Sequence, residues 1–125
     1  MTNGTEQLEF ERDCWNRLVD FIMFETAYLK TRLAEVIRLN KGDDGFLNKA
    51  EFYQDYYLKQ DEHLSLLKRD LRMFNRLIED RKKKDGAVVM QLQDVRQHLR
   101  IEMEKLEAEF CKGRKVFADF IDSNL

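Results

Sequence analysis

Residues 46–78 decide the fold, and they read FLNKAEFYQDYYLKQDEHLSLLKRDLRMFNRLI. Apolar side chains recur there at alternating steps of three and four, interrupted only by Gln60: Phe46, Ala50, Tyr53, Tyr57, Leu64, Leu67, Leu71, Phe74 and Ile78. That spacing keeps side chains on one face of an α-helix, and a β-strand has no equivalent of it. The stretch therefore predicts one long amphipathic helix.

Similar apolar stripes precede and follow this helix. We expect helix 1 over about residues 6–39, helix 2 over about 45–83 and helix 3 over about 86–122, with breaks at the Gly/Asp-rich segments between them. Because the breaks are short, neighbouring helices should be antiparallel. The predicted fold class is all-α, an up-down bundle of three long helices with coiled-coil-like packing, in a single domain over residues 1–125. The alternative is four shorter helices, with a break in helix 1 or in helix 3. Gly113 could end the main part of helix 3, and the other possibility is that it marks a close helix crossing.

Composition agrees with long helices and narrows the functional classes. The chain has no proline, and 37% of its residues are charged, which suits helices with much solvated surface. The net charge of −2 is not that of a dedicated nucleic-acid-binding domain. The segment before helix 1 lacks the pattern of a secretory signal, and no apolar run is long enough to span a membrane. We expect a cytoplasmic protein with Cys14 and Cys111 as reduced thiols.

Helices 1 and 2 carry more apolar surface than a three-helix monomer can easily cover. A second stripe runs beside the main one on helix 1, and helix 2 has aromatic residues off its main stripe. We therefore predict protein–protein association, with a homodimer as the expected state, through six aromatic side chains: Phe10, Phe21, Phe24, Tyr28, Phe52 and Tyr56. The alternative is that these residues complete the core of the monomer.

The first break resembles the calcium-binding loop of EF-hand proteins. In the segment NKGDDGFLNKAE, residues 40–51, the resemblance implies Asn40 as the first ligand, Asp44 as the third and Glu51 as the last, with Gly45 at the sharp turn. The segment departs from the motif because its first ligand is Asn rather than Asp and because Gly42 offers no side-chain oxygen. The simpler interpretation, which we favour, is a Gly/Asp turn followed by a helix N-terminus.

The sequence gives weaker signals for a metal site in the bundle, for a catalytic nucleophile and for a basic binding surface. Asp94, His98 and Glu102 share one face of helix 3 and could form half of a metal site, but the Glu-x-x-His pattern of bundle metal sites does not occur at either histidine. No combination of residues suggests a catalytic nucleophile with its base. The basic run 68–84 could contact nucleic acid or an anionic surface, although the acidic start of helix 1 should lie beside it and neutralise it.

The sequence thus predicts a non-enzymatic helical bundle that works by association, and no cofactor. Two functional alternatives stay open: an ion-binding or regulatory protein that uses the 40–51 loop, and contact with nucleic acid or an anionic surface through the basic end of helix 2.

Overall fold

The computed structural model describes residues 4–83 and 88–124, and those residues form three helices without a strand. They are α1 (Glu6–Leu39), α2 (Asp44–Lys82) and α3 (Val88–Ser123). The prediction of an all-α three-helix bundle is confirmed. The alternative of four shorter helices is wrong, because α3 continues through Gly113 without interruption. The second break, and with it the predicted start of helix 3 near Gly86, lies outside the described residues.

Ion pairs between helices establish the topology. Glu9 near the start of α1 pairs with Lys82 at the end of α2 (2.8 Å), and Lys30, later in α1, pairs with Asp61, which is earlier in α2 (2.6 Å). Helices α1 and α2 are therefore antiparallel. Helices α2 and α3 are also antiparallel, since His63 lies beside Glu102 and the later residue Asp70 lies beside the earlier residue His98. Helices α1 and α3 are consequently parallel to each other. Helix α2 contacts both neighbours along its length, whereas α1 and α3 contact each other much less.

The turn between α1 and α2 has the local chemistry that its sequence predicts. Gly42 adopts a φ of +93°, a conformation that a residue with a Cβ rarely adopts. The side chain of Asp43 accepts a hydrogen bond from the backbone N–H of Phe46 (3.1 Å) and so caps α2. A tight, capped turn holds the two helices side by side.

The buried side chains form two clusters, one at each end of the bundle. The cluster near the start of α1, which we call the first cluster, has these buried members: Leu8, Val19, Ile22, Leu64, Leu67, Leu71, Phe74, Leu77, Ile78, Leu92, Leu99, Met103, Leu106 and Phe110. The second cluster surrounds the α1–α2 turn: Leu29, Leu33, Val36, Phe46, Ala50, Tyr57, Phe117 and Ile121. The apolar stripes of all three helices therefore face a common core.

The two clusters are separated by small or polar residues at the corresponding point of each helix. These are Thr26 on α1, Gln60 on α2 and Gly113 on α3. Thr26 is fully buried at 0% exposure, and its hydroxyl has no hydrogen-bond partner among the described residues. A buried hydroxyl without a partner costs stability, because it loses its hydrogen bonds to water on folding.

Thr26→Val should raise the free energy of unfolding by about 1 kcal/mol, because valine keeps the shape of threonine and removes the unpaired hydroxyl. Thr26→Ser, which keeps the hydroxyl and deletes the methyl group, should lower it by about 1 kcal/mol. Urea unfolding of both variants measures the effects. Thr31→Val is the matched control, since the Thr31 hydroxyl is exposed and donates to the Ala27 carbonyl (3.1 Å). A destabilised Thr26→Val would contradict the account.

The acidic start of α1 neutralises part of the basic end of α2. Besides the Glu9–Lys82 pair, Asp20 pairs with Lys68. The hydrogen bond from Lys82 lowers the pKa of Glu9, and the same contact raises the pKa of Lys82. This agrees with the expected neutralisation. Lys84, at the end of the basic run, lies outside the described residues.

Glu11 ties α1 to α3. Its carboxylate accepts hydrogen bonds from both Nε (3.1 Å) and Nη2 of Arg96, and Nη2 of Arg100 lies 3.7 Å away. The side chain of Glu11 is only 14% exposed. The hydrogen bonds from Arg96 lower the pKa of Glu11 despite the opposing effect of burial. The pair therefore helps to hold together the two helices that contact each other least.

Glu11→Gln should lower the free energy of unfolding by about 1 kcal/mol at neutral pH, where the carboxylate is charged and forked on Arg96. Because the folded pKa lies below the unfolded value, this stabilisation is present above the unfolded pKa and is lost as the pH falls through the folded one. The difference between wild type and variant should thus be constant above about pH 6 and shrink as the pH falls below the unfolded pKa of about 4.3. The control is Glu62→Gln, at an exposed α2 residue. A difference that is independent of pH would refute the assignment.

Candidate association surface

Four aromatic residues of α1 lie on the outer side of the bundle. Phe10, Phe21, Phe24 and Tyr28 are 64%, 50%, 77% and 57% exposed. Together with Cys14 and Arg17 they continue the alternating steps of four and three, so they share one face of α1. We call these four aromatic residues the aromatic stripe. It lies away from the buried residues of α1, such as Val19, Ile22 and Leu33.

The stripe has one edge on α3 and one edge in solvent. The Phe21 ring meets the Phe110 ring edge-on with centroids 6.1 Å apart, which places Phe21 beside α3. Phe24 has no ring contact among the described residues, and its exposure is the largest of the four. An offset or edge-to-face aromatic contact stabilises by about 1 kcal/mol, so Phe21 contributes to the monomer while Phe24 contributes almost nothing.

The side of the bundle between α1 and α3 is comparatively open. Trp15 and Leu18 pack against the first cluster but are only partly buried. They line a groove of about 450 Å³ between the two helices, together with Gln7, Glu11, Cys14, Arg100, Met103, Glu104 and Glu107. Apolar surface at this side therefore extends from the aromatic stripe toward the core.

The remaining two predicted interface residues lie elsewhere, on the side between α2 and α3. Phe52 is 66% exposed and meets Tyr53 edge-on at 5.4 Å. Tyr56 is partly buried, packs against the second cluster and meets Tyr57 at 5.2 Å. Burial raises the pKa of Tyr56 and, more strongly, that of Tyr57. The structure thus divides the six predicted interface residues into the four of the aromatic stripe on α1 and two on a smaller surface between α2 and α3. Of those two, Tyr56 packs mostly within the monomer, whereas Phe52 is exposed.

Gly113 shapes this smaller surface. A Cβ atom added to Gly113 would lie 2.6 Å from the Tyr56 hydroxyl and 3.4 Å from the ring carbon that bears it. The glycine therefore lets the Tyr56 ring approach the α3 backbone, as the close-crossing interpretation of Gly113 predicts. A shallow groove of about 450 Å³ remains beside it, lined mainly by Phe52, Tyr53, Tyr56 and Val116.

Sequence reasoning missed several exposed apolar residues and did not single out Arg17, which is exposed on the same face of α1 as the aromatic stripe. Leu58, Met90 and Val116 are more than half exposed, but none of them continues a stripe, so no periodic signal was available. Leu39 is 74% exposed and did carry a signal, because it lies on the same face of α1 as Tyr28. Arg17 did carry a signal, because it occupies a position of the four–three series between Phe10 and Phe21.

The three candidate calcium ligands of the EF-hand-like segment lie at the end of α1 and in the first turns of α2. The Asn40 side-chain amide donates to the carbonyl of Val36 (2.8 Å) and to that of Asn124 (3.3 Å). Asp44 is the first residue of α2, and Glu51 is exposed two turns farther on. The three residues thus lie at a helix end, in the first turn of the next helix and on its surface. The functional prediction made from them stays a prediction.

Both histidines link α2 to α3 through carboxylates. His63 lies 3.3 Å from Glu102, and His98 lies 3.3 Å from Asp70. Two of the three residues that share a face of α3, His98 and Glu102, therefore point to partners on α2. Over residues 4–83 and 88–124, no group of three or more His, Cys, Asp or Glu side chains is arranged to hold a metal ion. Cys14 and Cys111 are both free thiols.

Comparison with known proteins gives no relative for this chain: no protein-family model, no curated protein and no solved structure matches it. Among the described helices, none has the length and apolar character needed to cross a membrane.

Gly113→Ala should show whether the Tyr56 hydroxyl needs the space above the α3 backbone. In a Tyr56→Phe background, where the close atom is absent, the change should stabilise the protein by about 0.5–1 kcal/mol through helix propensity. In the wild-type background the displaced hydroxyl should cancel most of that gain. A double-mutant cycle by urea unfolding measures the coupling between the two positions. Equal stabilisation in both backgrounds would contradict the close approach.

Proposed function

We propose that this protein is a non-enzymatic association module that binds another protein through the aromatic stripe of α1. The exposure of Phe24 and Phe10, at 77% and 64%, is the observation that supports it. Large aromatic side chains favour burial by about 1.5–3 kcal/mol each. Placing four of them in water along one helix face costs solubility unless a partner covers them, and aromatic residues are enriched in the buried centres of interfaces.

The size of the stripe suits the centre of an interface. An aromatic side chain buries 150–250 Å² when it is fully covered, so the exposed parts of the four rings amount to on the order of 500 Å². A typical stable interface buries about 800 Å² on each partner. The stripe can supply more than half of that area, and the neighbouring groove beside Trp15 and Leu18 can supply apolar surface next to it.

We further propose that the partner is a second copy of this chain, which makes the working state a homodimer. The stripe continues the four–three spacing that the core stripes use to pack helix against helix, and a helix with such spacing fits another helix of the same kind. Phe52, on the α2–α3 side, would then remain outside the interface.

Sedimentation velocity at micromolar concentration should give about twice the 15.1 kDa mass of one chain. Phe24→Ser should shift the protein to monomer, raising the dissociation constant about tenfold or more, since aromatic anchors near the centre of an interface contribute about 2 kcal/mol each. Its thermal stability as a monomer should change little, because the ring is mostly in water.

Phe52→Ser is the matched control, because Phe52 is also mostly exposed, at 66% against 77% for Phe24, but lies between α2 and α3. It should leave the association unchanged. A wild-type protein that sediments as a 15.1 kDa monomer at every concentration would rule out self-association. A dimer that is lost with Phe52→Ser and kept with Phe24→Ser would place the interface on the other side of the bundle.

A further inference from the structure

A positively charged residue, Arg17, lies on the same face of α1 as the aromatic stripe. Arg17 lies on the stripe face between Phe10 and Phe21, is exposed, and has no ion pair among the described residues. Asp20 lies one helical turn farther on and borders the same face; its side chain is 62% exposed, although it also contacts Lys68. The face is thus apolar with one cation and one anion close to its midpoint.

We propose that two copies pair through α1 in antiparallel orientation, centred near residue 19; this rests on the proposed self-association. Residue 19 is the midpoint between Phe10 and Tyr28, so full overlap of the two stripes sets Phe10 of each copy opposite Tyr28 of the other. The same register places Arg17 of each copy beside Asp20 and Phe21 of the other. The interface then contains two equivalent ion pairs, as an isologous dimer requires.

Charge excludes the opposite orientation. In a parallel pair with the stripes in register, Arg17 near the middle of the face would meet Arg17 of the other copy, and like charges at such positions weaken helix pairing. Asp20, at the edge of the face, would lie on the other side of the pair from Asp20 of the second copy and would not neutralise the two arginines. In the antiparallel pair each arginine meets a carboxylate and an aromatic ring. The stripe is therefore self-complementary in one direction only.

The α3 side of the stripe leaves space for the second helix. Phe21 lies level with Phe110, and Glu25 lies level with Arg114 (3.6 Å), so the midpoint of the stripe is level with Ala108. Cys111, on this side of α3, is exposed and small. The longer α3 side chains near the stripe are Arg100, Glu104, Glu107 and Arg114. All four are exposed, so they can move aside for a partner helix that lies along α1.

Crosslinking with the intact stripe tests the orientation. In a Cys14→Ser, Cys111→Ser background, Glu6→Cys and Thr31→Cys are placed separately in two preparations; both sites are exposed and flank the stripe. In the antiparallel register, Glu6 of one copy lies beside Thr31 of the other, whereas the two Glu6 residues are about 39 Å apart at 1.5 Å per residue. A short bismaleimide should link the mixture into a covalent dimer and leave each single preparation unlinked.

The outcomes separate the proposals. Linkage of Glu6→Cys to itself would show a parallel pair and overturn the antiparallel register while keeping the self-association. A dimer by sedimentation that links in none of the three samples would place the interface outside the stripe and overturn this inference. A monomer by sedimentation would overturn the proposed function and this inference together.

Charge reversal provides an independent readout. Arg17→Glu places Glu beside Asp20 of the second copy at two equivalent points, so its dissociation constant should rise about tenfold. In a parallel pair the same change only replaces one like-charge contact with another and leaves the dissociation constant near that of the wild type, which would contradict the register. Arg76→Glu is the control, because it makes the same change of charge at an exposed residue of α2, on a different helix from the stripe.

Discussion

The fold depends on burial of the apolar face of α2 between its two neighbours. Residues such as Leu64, Leu71 and Phe74 share one buried cluster with residues of both α1 and α3, so α2 is the helix against which both of the others pack. Because α1 and α3 lie parallel and contact each other little, their link relies on a few specific contacts, notably Glu11 with Arg96 and Phe21 with Phe110. The α1–α3 side is consequently the open side of the bundle.

This arrangement explains why one helix has surplus apolar surface. A helix that packs against two neighbours buries an apolar stripe of about 100° or somewhat more. The buried face of α1 satisfies that need with residues such as Val19, Ile22 and Leu33. Phe24 and Tyr28 lie outside it, on a face that the monomer leaves in water. The surplus thus follows from the geometry of three helices, and a partner helix is the structure that would cover it.

The fold was predictable from the sequence because its determinants are local or periodic. The four–three spacing of residues 46–78 defines α2, and the turn follows from Gly42 and the Asp43 cap. The partition of the aromatic residues was less predictable. Periodicity places Phe24 and Tyr56 equally off the main stripes, but only the packing of α2 on α3 decides that Tyr56 lies above Gly113 in the second cluster. The unpaired hydroxyl of Thr26 likewise depends on how three helices meet at one level, which no single helix pattern records.

The central claim is that a second copy covers the aromatic stripe, and the concentration dependence of unfolding tests it most directly. An interface that forms only in the folded state stabilises that state by mass action. The urea midpoint, followed by far-UV circular dichroism, should therefore rise over about a hundredfold increase in protein concentration for the wild type and stay constant for Phe24→Ser. A wild-type midpoint that is the same at every concentration would contradict the claim.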